Sequence, residues 1–130
     1  MKFLVENIKW LMLVAGVFTS SMLLAFIAPE TAINNFFGET ELSASDQVVV
    51  RNWGFLIFGV GALLIYGAFN IVHRNLTLMI AIITKIVFIG LVLGQGSLFL
   101  NTMGAPVVID SAIIVLFALY LVAQRARTGT

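Results

Sequence analysis

Residues 76–100 read LTLMIAIITKIVFIGLVLGQGSLFL, an apolar run with a single charged side chain, Lys85, near its middle. Wound as a helix at ~1.5 Å per residue, this stretch is long enough to cross a ~30 Å hydrocarbon core. Three further runs of the same kind accompany it, at 10–28, 53–72 and 107–123. Hydrophobic residues make up 61% of the chain and charged residues 10%, and the mean hydropathy is +1.10. A soluble domain of 130 residues has too little interior to hide that much apolar surface. The expected fold is all-α, a bundle of four transmembrane helices forming one integral membrane domain over residues 1–130.

Composition removes several kinds of chemistry. There is no cysteine, which excludes thiol catalysis, disulfide exchange and thiolate-bound zinc or iron–sulfur clusters. One histidine, His73, cannot form an all-protein bis-histidine haem site within one copy. The glycines fall inside apolar helices and not after strands, so neither dinucleotide nor P-loop binding is indicated. A net charge of +1 without any basic run argues against nucleic acid as a partner. No metal and no cofactor is expected.

Met1-Lys2, an apolar stretch and then Leu24-Ala25-Phe26 with Ala28-Pro29 share the pattern of a cleavable leader around the first run. Its length is that of a full span, so it reads as a signal anchor and the first helix of the bundle. Orientation follows from the basic residues. Lys2, Lys9, Arg74, Arg125 and Arg127 fall on one side of four alternating spans, whereas Glu30, Glu39, Glu41, Asp46 and Asp110 fall on the other with Arg51. By the positive-inside rule both termini are expected in the cytoplasm.

Pro29 is expected to close the first span, since proline cannot continue a hydrogen-bonded helix. Within the loop that follows, residues 32–37 suit a short interfacial helix ended by Gly38. Ser43 or Ser45 suits an N-cap for the second span, with Asp46 in its first turn. His73-Arg74-Asn75 is the expected turn between the second and third spans. Residues 101–106 form the expected connection to the fourth, with Pro106 in its first turn. Connections this short imply two antiparallel hairpins. Gly54, Gly61 and Ala68 recur every seven residues on one face of the second span, where small side chains let another helix approach. That helix belongs either to the same bundle or to a second copy.

An ionisable side chain inside a span is costly, and it usually faces the bundle interior with a partner. Lys85 shares a helical arc with Thr77, Ala81, Thr84, Phe88, Val92, Gln95 and Gly96, while Ile83, Ile86 and Leu91 lie outside it. That arc is the expected inward face. Lys85 is expected to lean toward Tyr66 and Asn70 and to lie level with Thr19, Ser20 and Ser21, with no carboxylate at its depth. It serves either as a contact for an anion, a lipid headgroup or a proton-linked site, or as a snorkelling or hydroxyl-bonded structural residue. Arg51, Asp110 and Glu30 are expected together at the outer edge, with an Arg51–Asp110 ion pair tying two spans.

Phe26-Ile27-Ala28-Pro29-Glu30 closes the first span, and Val50-Arg51-Asn52-Trp53-Gly54 precedes Phe58-Gly59-Val60-Gly61-Ala62-Leu63-Leu64 in the second. With Asp110 opening the fourth, these stretches resemble the small bacterial four-helix membrane proteins of the DoxX-like group. The resemblance implies a fold and a location in the bacterial cytoplasmic membrane, without a reaction. Two functions are therefore expected to compete. One is a non-catalytic membrane protein acting through lipid or protein contacts, such as an accessory subunit or a homo-oligomer. The other is a small transporter or membrane enzyme using Lys85 and the Arg51/Asp110 pair. A continuous wet cavity joining those groups would favour the second, and a dry, close-packed interior the first.

Overall fold

The computed structural model describes residues 2–38, 41–96 and 99–127, without the Leu100 side chain. Glu39 and residues 97–98 of the third expected span lie outside them. The described residues form six helices: α1 (Lys2–Ser20), α2 (Leu23–Ile27), α3 (Pro29–Phe37), α4 (Ala44–Phe69), α5 (Ile71–Gly94) and α6 (Leu100–Arg127). α1 and α2 together, α4, α5 and α6 are each long and apolar enough to cross a membrane.

Local chemistry places the ends of these helices. Gly38 terminates α3 in the left-handed conformation (φ 76°), its N–H donating to the Asn34 carbonyl at 3.0 Å. Ser43 caps α4 through a reciprocal box: its hydroxyl accepts from the Asp46 N–H, and the Asp46 carboxylate accepts from the Ser43 N–H, both at 3.1 Å. The expected turn at 73–75 is displaced. A single extended residue, Asn70, separates α4 from α5, and its side chain accepts from the N–H groups of Val72 and His73. That cap starts α5 five residues before the expected span. Arg74 then lies within α5 and donates to the Gly67 and Ala68 carbonyls at 3.1 and 2.8 Å, satisfying the exposed end of α4.

α6 also begins early. It starts at Leu100, so Pro106 sits inside the helix and not in its first turn. The proline costs α6 one backbone bond, the one Thr102 would have accepted. Thr102 is itself tied to α3 by a hydroxyl bond to the Phe36 carbonyl.

α4 is the central packing element, lying against α1, α2 and α5, while α6 packs on α5 and α1. Close approach explains the small residues. A Cβ built on Gly61 would meet Ser20 and lie 2.7 Å from the Gly16 carbonyl oxygen; one on Gly54 would lie 2.6 Å from Ala25 Cβ. Ala68 is buried among Ile8, Met12, Leu64, Leu78, Phe117 and Tyr120 in the largest apolar cluster. A second cluster joins Ala25, Ala32, Ile33 and Val50, and a third joins Val92, Met103 and Val107.

The outside is apolar as well. Val17, Val49, Leu56, Ile71, Val72 and Leu91 are all more than half exposed. Meanwhile Lys85, Asp110, Thr19 and Thr77 are buried. Charges within and hydrocarbon without is the distribution a lipid solvent favours and water does not.

Candidate functional site

Three helices bring one polar layer into the interior. On α1, Thr19 follows the buried Ile8, Met12 and Ala15; on α5, Lys85 lies between Ala81 and Val92; on α6, Asp110 lies between Val107 and Ile113. The layer is thus bounded by the largest apolar cluster on one side and by the Val92–Met103–Val107 cluster on the other. Lys85 Nζ donates to Asp110 Oδ1 at 2.7 Å and to Thr19 Oγ1 at 3.3 Å. Lys85 and Asp110 are each 7% exposed and Thr19 is 5% exposed. Among the described residues this is the one ion pair between side chains.

The expected Arg51–Asp110 pair is therefore corrected. Asp110 is not at the first turn of its helix: α6 begins at Leu100, which carries Asp110 ~15 Å along the axis. Lys85 lies ~14 Å from the end of α5 at Gly94. Measured from the connection that joins the two helices, the cation and the carboxylate are level. The same displacement corrects the expectation that no carboxylate shares the depth of Lys85. Reading residues 101–106 as helix instead of loop, despite Pro106, is the signal that would have found the pair.

Arg51 turns elsewhere. It donates to the Phe26 carbonyl at 3.1 Å, near the end of α2, and lines a separate cavity of about 300 Å³ with Glu30, Gln47 and Thr31. Glu30 and Arg51 share that cavity without an ion pair between them. Tyr66 does not meet Lys85 either. Its hydroxyl lies 2.9 Å from His73 Nδ1 and accepts from Asn70 Nδ2 at 2.8 Å, and its ring stacks on the imidazole. Lys85 turns away from Tyr66 and Asn70 because a carboxylate at 2.7 Å outweighs the N-terminal tilt of a helical side chain. Gln95 is exposed at the end of α5, apart from the polar layer.

Beside the ion pair lies a cavity of about 330 Å³. Its wall is mostly aromatic and aliphatic, including Phe18, Phe36, Trp53, Phe88, Met103 and Ile109. Of its other polar side chains, Thr84 donates to the Ile80 and Ala81 carbonyls of its own helix, and Ser21 to the Phe18 carbonyl. Those hydroxyls are committed to backbone. Apart from the indole N–H of Trp53, the polar character of the cavity is thus concentrated in Lys85, Asp110 and Thr19. Apolar concavity with a few converging polar groups is the usual form of a small-molecule site. Among the described residues no cluster of three or more His, Asp or Glu side chains is arranged to hold a metal ion.

No family model matches the chain, and comparison with curated proteins and with solved structures likewise finds no match.

Proposed function

We propose that this chain is a non-catalytic, multi-pass membrane protein that acts by holding a lipid-phase molecule in the cavity beside Lys85 and Asp110. In this reading it serves a larger membrane assembly as an accessory subunit or works as a homo-oligomer. The observation that carries the reading is the buried ion pair on the wall of a cavity of about 330 Å³ that is otherwise apolar. A binding role fits the way the polar groups divide. Lys85 and Asp110 border one cavity, while Arg51 and Glu30 border another. A transporter or enzyme would use Lys85 together with an Arg51–Asp110 pair; Asp110 is instead paired with Lys85, and Arg51 borders the other cavity.

The proposal extends to topology and kinship. Two antiparallel hairpins, α4–α5 and α5–α6, follow from the short connections, and both termini in the cytoplasm accord with the basic residues of the sequence. A bacterial cytoplasmic membrane and membership of the DoxX-like group accord with the arginine that opens the glycine-rich second span.

Native mass analysis of protein extracted in a mild detergent tests the binding role. Ala105 has the smallest side chain on the cavity wall, so Ala105→Trp adds bulk there while leaving Lys85 and Asp110 in the sequence. The wild-type chain should carry a bound lipid-phase molecule that the variant lacks. Identical bound material in the two proteins overturns the proposal.

A further inference from the structure

The hydrogen-bonding capacity of the ion pair defines the kind of molecule the cavity takes; this inference rests on the binding role proposed above. A lysine ammonium has three N–H donors. Two are used, on Asp110 Oδ1 and Thr19 Oγ1. The third has no acceptor among the described residues. Asp110 keeps its second oxygen, Oδ2, to which no described residue donates. One donor and one acceptor are thus left over, on adjacent residues that both border the cavity.

We infer that the cavity binds an amphiphile with a neutral hydroxyl head, an alcohol or phenol on an apolar body. A hydroxyl accepts one hydrogen bond and donates another, so a single head group meets both vacant valences. Its acceptor side takes the Lys85 N–H and its O–H donates to Asp110 Oδ2. Charge selects the neutral form. At 2.7 Å the lysine and aspartate cancel each other, so the site as a whole offers no net charge to an ion. A carboxylate head would approach Lys85 only by also approaching Asp110, in surroundings too apolar to screen the repulsion. An ammonium head meets the converse conflict with Lys85. A purely hydrocarbon molecule leaves both charged groups short of a partner, which is costly where water is scarce. The apolar wall, with Phe36, Phe88, Met103 and Ile109, accommodates the body.

Trp53 borders the cavity, whereas Trp10, the other tryptophan, is exposed on α1. In a Trp10→Phe background the remaining fluorescence reports from the cavity wall, and a bromine atom arriving there quenches it. The probes are 6-bromohexan-1-ol, 1-bromohexane, 6-bromohexanoate and 6-bromohexylammonium, titrated into the full chain in detergent. Saturable quenching by the alcohol is expected, on the order of ten-fold tighter than by the bromoalkane, the net gain of two charge-assisted hydrogen bonds over desolvation of the head group. Both ionic probes should be weaker than the alcohol. In the Lys85→Met, Asp110→Leu double variant the alcohol should lose its advantage over the bromoalkane. Equal affinity for alcohol and alkane in the wild-type pocket overturns the inference while leaving a lipid-phase binding role intact. Preference for the carboxylate or the ammonium also overturns it, and assigns the site to an ion. Absence of saturable quenching by every probe overturns the inference and the binding role together.

Discussion

Lys85 on α5 and Asp110 on α6 meet at 2.7 Å, each 7% exposed, in a layer bounded above and below by hydrocarbon. Thr19 completes the layer from α1. A buried pair of this kind is strongly coupled: each charge is tolerable because of the other. The helices that carry it are therefore held in one register, since a slip of a single residue would carry one charge away from its partner.

Breaking the pair from one side should be worse than removing it. Lys85→Met and Asp110→Leu should each destabilise the protein by about 3 kcal/mol, because each leaves a buried charge uncompensated. The double variant Lys85→Met, Asp110→Leu should recover much of that loss. Thermal unfolding of the purified protein in detergent, analysed as a double-mutant cycle, measures the coupling. Additive losses would remove the pair as an energetic unit.

Arg51 and Asp110 should behave as independent sites. Arg51 bonds to a backbone carbonyl of α2 and shares no partner with Asp110. Arg51→Gln should cost about 1 kcal/mol, the worth of one hydrogen bond near an exposed surface. Combined with Asp110→Asn, the losses should add within about 0.5 kcal/mol in the same unfolding measurement.

Glycine substitutions along α4 should separate by position. At Gly61 an added methyl runs into Ser20 and the Gly16 carbonyl of α1, so Gly61→Ala should destabilise by roughly 1–3 kcal/mol. Two residues away, nothing lies within 4 Å of a Cβ built on Gly59. Gly59→Ala should change thermal stability by no more than about 0.5 kcal/mol. Equal effects would mean that α1 and α4 do not approach as closely as their backbones indicate.

Topology is open to direct labelling. Glu41 and Ala126 are both exposed, and the chain has no native cysteine. A cysteine at Glu41 should react with a membrane-impermeant thiol reagent in intact cells, and one at Ala126 should react only after lysis. The reverse pattern would invert the orientation drawn from the lysines and arginines.

Much of the architecture is local, and local features are legible in a one-dimensional string. Apolar runs long enough to span lipid announce four helices, because a bilayer demands that backbone polar groups be satisfied within each segment. The Ser43–Asp46 box and the Gly38 terminator are likewise short-range chemistry, written within a few residues. The inward direction of Lys85 is a matter of helical periodicity alone.

Partnership is different, because it depends on where distant helices begin and how they lie together. Asn70 shortened the junction between α4 and α5 to one residue, and Leu100 started α6 well before Pro106. Each residue added to the start of α6 moves Asp110 ~1.5 Å farther along the helix, so a boundary drawn a few residues late places it at the membrane edge. That boundary separates an Arg51–Asp110 bridge from the Lys85–Asp110 pair of the folded chain. The cavity beside the pair is set the same way, since Phe18, Trp53, Phe88 and Ile109 come from four helices and face one another only after packing. Spacing along the chain carries the helices, and packing across it carries the site.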